Sequence, residues 1–240
     1  MKHLCIAAWF AAAGLLVLPA IAAPVPKDEG NGELPAPTEK QLAESQGKLK
    51  QILFAIYHYS SAHNDHLPNN AYSKASKPLL SWRVAILPYI EEEPLYKKFK
   101  LDEPWDSDTN KNLIAKLPKL YAPIRVKAKE GETFYRVFTG QGLFGLNAKY
   151  TIGDIPDGSS NTGLVFEAGE PVIWTKPDDL EYDAKKPLPK LGGLFDGVCH
   201  VGVGDGSVYR LRKNPDEKLM RLLIQPDDGM ALDLEAILGK

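Results

Sequence analysis

The stretch Thr38–Pro68, TEKQLAESQGKLKQILFAIYHYSSAHNDHLP, constrains the fold more than any other. Leu42, Leu49, Ile52, Leu53 and Ile56 recur at helical spacing and make one apolar stripe, so the stretch reads as a long amphipathic helix. Thr38, with Gln41 three residues on, makes a capping box, and Glu39 suits the positive helix start. Gly47 weakens the first turns by about 1 kcal/mol relative to alanine. The helix is expected to fray over residues 62–65 and to end before Pro68. His66, in the loop beyond, is placed to cap its last carbonyls.

The rest of the chain offers shorter pieces. YRVFTG (135–140) and GLVFEA (163–168) read as strands, and VCHVGVGDGSVYRLR (198–212) as a hairpin. A helix is expected from Trp82 to about Tyr89 and another after Glu93, with Pro88 and Pro94 as breaks. A short helix near Asn110–Ala115 and two terminal ones in PDEKLMRLLI and ALDLEAI complete the set. IPDGSSNT is a turn, and PDDLEYDAKKPLPKLGG a long proline-rich connection. One helix first, several strands later and no regular alternation predict an α+β fold rather than a doubly wound one.

At the N-terminus Lys2 precedes an apolar run from Leu4 to Leu18, followed by Ala20-Ile21-Ala22. This is the pattern of a secretory signal over residues 1–23, cleaved near Ala22 or Ala23. The run is short for a membrane span of roughly 20 residues, and Pro19 interrupts it. Cys5 does not sit at the cleavage point, so a lipid anchor is not indicated there. PVPKDEGNGELPAP, residues 24–37, reads as a disordered tether, and residues 38–240 as a single domain. Signal removal leaves Cys199 as the one thiol, so no internal disulfide forms. With 240 residues, 44% hydrophobic, packing alone can support the fold. A net charge of -2 excludes a non-specific nucleic-acid binder. No later stretch is apolar enough to span a membrane, so a soluble mature protein, secreted or periplasmic, is expected.

Several groupings of reactive side chains bear on possible chemistry. His58, His63 and His66 with Asp65 lack the spacing that stacks zinc ligands on one helical face, and read as an exposed polar helix end. Asp106, Asp108 and Asn110 resemble the start of a calcium loop, but Lys111 and Leu117 stand where the glycine and the final acid belong. A helix N-cap is the reading preferred. Asp154, Asp157, Ser159, Ser160, Asn161 and Thr162 crowd a turn that is structural first and a hard-cation site second. Glu167, Glu170, Asp178, Asp179, Glu181 and Asp183 surround Trp174; paired carboxylates suit glycoside chemistry only at the right separation. Asp205-Gly206 predicts a two-residue hairpin turn that pairs Val203 with Val208 and His200 with Leu211. His200 then shares a face with Val198, Tyr209 and Leu211, while Cys199 points the other way, so the two make no dyad. His200 reads as a packed histidine, and Gly202 and Gly204 leave room for close backbone approach.

Five segments in order carry a resemblance: LKQILFAIYHYSSAHNDHLP, SWRVAILPYIEEEPLYKKFKLDEPWDSDTN, IPDGSSNTGLVFEA, WTKPDDLEYD and LGGLFDGVCHVGVGDGSVYRL. Together they resemble the planctomycete family of unknown function DUF1559, whose members carry an H-x9-DG signature near the C-terminus. Asp205 and Gly206 keep its second half, while Phe195 stands at the histidine position. The resemblance implies a pilin-like or pseudopilin-like domain, a long N-terminal helix packed on an antiparallel sheet. It also implies calcium as a candidate ion, with Asp157 and Asp205 the metal candidates; no catalytic or cofactor-binding residue is assigned. In place of the apolar helix stem of many relatives, this chain has a conventional signal and a polar tether. The expectation is a non-enzymatic secreted protein with a protein partner at the cell envelope, in surface assembly or recognition. Alternatives are a solute- or ion-binding module with a pocket lined by Trp82, Trp105 or Trp174, and a carboxylate-dependent hydrolase around Trp174.

Overall fold

The apolar stripe finds its surface in a four-stranded sheet. The computed structural model describes residues 35–126, 128–145 and 150–239; the expected signal and most of the expected tether lie outside the described residues. Helix α1 runs Glu39–Ala62. It begins as the capping box predicts: Gln41 N–H donates to Thr38 Oγ1 at 3.2 Å, and Thr38 N–H to Gln41 Oε1 at 2.9 Å. Leu49, Ile52, Leu53 and Ile56 are each no more than 1% exposed, so the stripe is fully used. At the other end the capping side chain is His63 rather than His66. The His63 ring stacks on Tyr59 and its Nδ1 bonds the Tyr59 carbonyl at 2.7 Å, because a residue four positions on lies directly over that carbonyl. His58, His63 and His66 are all exposed.

Among the described residues six strands follow: β1 (Glu132–Arg136), β2 (Phe138–Gly140), β3 (Gly163–Ile173), β4 (Leu180–Tyr182), β5 (Cys199–Val203) and β6 (Val208–Leu211). The main sheet has the order β1-β3-β5-β6, and every neighbouring pair is antiparallel. The fold is therefore α+β with the long helix on an antiparallel sheet. The stretch 135–140, read as one strand, divides at Val137, whose amide goes to the Asp179 carboxylate at 3.3 Å instead of to the main ladder. β2 then pairs in parallel with β4, inside the stretch read as a bare connection. Three residues are too few for an alternating pattern to show.

Both faces of the sheet are covered. On one, Leu49, Leu53 and Ile56 of α1 join Val165 and a layer from the middle segment that includes Trp82, Leu87, Tyr121 and Trp174. On the other, Phe166, Cys199, Val201, Val203 and Leu211 pack against Met220, Leu223 and Ile224 of helix α4 (Glu217–Ile224). Central β3 is consequently buried without interruption from Gly163 to Ala168. The expected helix from Trp82 to Tyr89 is split into α2 (Trp82–Ala85) and a 3-10 turn at Leu87–Ile90, since Pro88 lacks the amide a continuous helix needs. A third short helix, α3, spans Glu93–Tyr96. Residues 110–116 form a 3-10 helix that neither Asp106 nor Asp108 caps. Asn110 instead turns inward, accepting from the Lys100 amide at 3.0 Å and donating to the carbonyls of Lys100, Glu103 and Pro104.

The hairpin register differs from the expected one by a residue. Val201 opposes Tyr209, Gly202 opposes Val208, and His200 opposes Arg210. The loop is Gly204-Asp205-Gly206 rather than Asp205-Gly206 alone. Gly206 N–H donates to the Val203 carbonyl at 3.0 Å, Val203 N–H to the Ser207 carbonyl at 3.0 Å, and Gly206 sits at φ 84°. This is the three-residue hairpin with its glycine in the left-handed region, which Asp205 favours by accepting the Ser207 amide at 2.7 Å. A one-residue slip exchanges faces. His200 therefore shares its face with Val208 and Arg210, not with Tyr209 and Leu211; Cys199 does lie on the other side.

Candidate functional site

Residue alternation sets which side chains look toward α1. Tyr135 of β1 opposes Glu167 of β3, His200 of β5 opposes Arg210 of β6, and two hydrogen bonds join Glu167 to His200. A polar row therefore crosses all four strands beneath the first third of α1. Its centre is sealed: Glu167 and His200 are 0% exposed, as is Ser45, which α1 brings down onto them.

Glu167 is the hub. Its Oε2 accepts from the His200 backbone amide at 2.8 Å and from His200 Nδ1 at 3.0 Å, and its Oε1 accepts from Ser45 Oγ. A buried carboxylate survives only when donors replace its water, and here three do. The carboxylate accepts at His200 Nδ1, so Nδ1 carries the proton of that bond. His200 Nε2 is buried with no hydrogen-bond partner, and the ring lies edge-to-face against Phe195 at 5.7 Å. Tyr135 Oη is 3.4 Å from Ser45 Oγ. Burial, with the Glu167 charge adding to it, pushes the Tyr135 phenol well above its ordinary range. The Cys199 thiol, on the opposite face, is also pushed up by burial and then by Glu167. It is therefore held as the poorly reactive thiol rather than the thiolate. Serine, acid and histidine meet here, but in the wrong order for a nucleophilic triad. Ser45 bonds the acid rather than the free imidazole nitrogen that would take its proton.

A buried ion pair lies in the middle segment. Arg83 and Asp179 meet at 3.0 Å with both side chains 0% exposed. Arg83 also donates to the carbonyls of Trp174, Tyr135 and Lys176 at 3.1, 3.2 and 3.3 Å. Asp179 accepts further from Asn70, the Trp82 indole and the Val137 amide at 2.9, 3.3 and 3.3 Å. The pair's hydrogen-bonding capacity is taken up by three carbonyls, one backbone amide and the side chains of Asn70 and Trp82.

The acidic neighbourhood of Trp174 thus comes apart. Glu167 faces α1, Asp179 is buried on Arg83, Asp178 pairs with Arg136 and Lys176, and Glu170 and Glu181 are exposed. Trp82 and Trp174 are 0% exposed core residues, so they line no open pocket, and half-buried Trp105 packs against the same core with Lys176 over its ring. Asp157 has both oxygens on backbone amides, accepting from Asp228 at 2.8 Å and Gly229 at 2.9 Å. Its loop and that of Asp205 are neighbours, because Gly204 N–H donates to the Thr162 carbonyl at 2.9 Å. Among the described residues no group of three or more His, Cys, Asp or Glu side chains is arranged to hold a metal ion. The Ser45–Glu167–His200 cluster escaped sequence reasoning. The pattern of α1 does contain its signal, a serine on the buried stripe three residues after Leu42.

The glycines of the hairpin let α1 approach. A Cβ on Gly202 would meet Leu53 at 2.7 Å, Lys50 Nζ donates to the Gly206 carbonyl at 2.7 Å, and Tyr57 Oη donates to the Gly204 carbonyl. The Asp-Gly turn is thereby a docking point for the helix.

Fold and site define a helix-on-sheet α+β domain whose polar centre is sealed inside. Residues 43–139, from α1 into β2, match the family model described as a protein of unknown function (DUF1559), so over this stretch the chain is similar to that family. No curated protein and no solved structure matches it.

Proposed function

We propose that this domain acts through its surface rather than by turning over a substrate, as a non-catalytic, pseudopilin-like module of envelope assembly or recognition outside the cytoplasm. One observation carries the reading: Glu167 and His200, the acid–base pair that chemistry would need, are 0% exposed beneath α1. The signal-like N-terminal sequence supports the location, and no helix among the described residues is long and apolar enough to cross a membrane. The outer face of α1 offers a contact surface, where Phe54 is 53% exposed beside Lys50. A photo-cross-linking residue placed at Phe54 in the intact envelope is expected to give a discrete protein adduct. The reading fails if no exposed α1 position gives one while the purified protein hydrolyses generic glycosides or esters and loses that activity in Glu167→Gln.

A further inference from the structure

We infer that residues 39–46 of α1 are a hinged arm, latched by Ser45 on Glu167, whose opening uncovers His200. The inference goes beyond the surface role proposed above and does not depend on it.

Four observations converge. First, α1 rests on two separate apolar clusters. Leu49 onward belongs to the large core, whereas Leu42 packs with Phe134, Leu194 and Phe195 in a small one. Second, the boundary between them is the polar row, where a helix gains least from burying its face. Third, Gly47 stands at that boundary with nothing within 4 Å of where its Cβ would be. No close packing demands a glycine there, and glycine is the weakest common residue inside a helix. Fourth, the arm is under-packed on one side. A cleft of about 340 Å³ runs between Glu39, Leu42, Ala43 and Gln46 and the β6 edge at Val208–Arg210.

Apart from the Leu42 cluster, what holds the arm is local and polar. Glu39 pairs with Arg210 at 3.4 Å, Glu44 with Lys48 at 3.9 Å, and Ser45 donates to Glu167. The first two pairs are partly exposed and hold weakly. Beyond the hinge the helix is pinned by Lys48 on the Ala122 carbonyl at 2.9 Å and by Lys50 and Tyr57 on the hairpin turn. Segments with few apolar contacts open at lower free energy than the core, so the arm opens while residues 49–62 stay seated. His200 Nε2, unpartnered in the closed state, then meets solvent.

The test combines native-state hydrogen exchange with carbethoxylation of His200 by diethyl pyrocarbonate, read by mass spectrometry on the folded protein. Amides of residues 42–47 are expected to exchange at least tenfold faster than those of 52–56, with little dependence on dilute urea, and His200 labelling is expected to follow them. Ser45→Ala is expected to speed His200 labelling several-fold. Leu223→Ala, in the opposite core, is expected to speed exchange at 52–56 and leave His200 labelling unchanged. The inference is overturned if His200 labelling rises with Leu223→Ala as steeply as exchange at 52–56. It is equally overturned if, in the unsubstituted protein, labelling shows the urea dependence of global unfolding.

Discussion

The molecule buries two hydrogen-bonded pairs, Arg83–Asp179 and Glu167–His200, and they differ in how completely they are satisfied. Arg83–Asp179 is enclosed by the carbonyls of Trp174, Tyr135 and Lys176 on one side and by Asn70, Trp82 and Val137 on the other. Glu167–His200 is enclosed by one serine and one backbone amide, and it leaves Nε2 without a partner. The first pair joins four stretches that are distant in sequence. The second lies under a single helical turn. A buried charge acts as a staple when its surroundings are backbone that cannot move away. It is a point of weakness when a side chain on a movable element supplies part of its solvation.

This contrast predicts its largest effect at Arg83. Replacing Arg83 with methionine leaves Asp179 buried without its counter-charge and strands three carbonyls, so a loss of about 3–5 kcal/mol is expected in urea-unfolding experiments. A loss below 1 kcal/mol would mean that the pair is not a staple. Glu167→Gln should cost less, about 1–3 kcal/mol, because it turns one acceptor into a donor facing donors while leaving the ring packed on Phe195. If the two losses are equal, the distinction between the pairs collapses.

How much of this was legible follows from what each feature depends on. The helix start was legible because Thr38 and Gln41 act within one turn. The hairpin register was misjudged because a two-residue and a three-residue turn share the Asp-Gly signal; Gly204 joining the loop decides between them. Both buried pairs were illegible. Arg83 and Asp179 are 96 residues apart, Glu167 and His200 are 33 apart with Ser45 a further 122 from Glu167, and no local pattern marks a charge that will be buried. The ring of Phe195 lies against His200, a contact that composition does not reveal.

Alkali should act next, through groups whose folded values lie above their ordinary ones. Burial raises the Cys199 thiol above its ordinary 9.0, and the Tyr121 and Tyr135 phenols above 10.0. The unfolded chain therefore releases these protons at lower pH than the folded one. Their contribution to stability is fully present below pH 9 and is lost as pH rises. The thiol alone removes about 1.4 kcal/mol per pH unit once past its ordinary value, and the phenols add to this above pH 10. Thiol titration and phenolate absorbance should both appear in step with unfolding; a thiol that titrates near 9 in the folded protein would contradict its burial.

Gly47→Ala sharpens the comparison in the stabilising direction. Its Cβ meets no atom within 4 Å and the helix there has ordinary geometry, so about 1 kcal/mol is gained. The gain should appear as a rise in the thermal midpoint of a few degrees. No gain at all would place Gly47 against something unseen on the outer face of α1.

The smallest expected effect is none, at the two candidate calcium positions. Both oxygens of Asp157 accept backbone amides, at 2.8 and 2.9 Å, and Asp205 accepts the Ser207 amide at 2.7 Å. An ion at either carboxylate would compete with bonds that already close its loop. A ligand that binds only the folded state raises the unfolding midpoint in proportion to its occupancy. Thermal unfolding in calcium and in chelator should therefore coincide. A chelator-dependent drop that Asp157→Asn abolishes would show that these turns are ion sites and that their amide contacts are secondary.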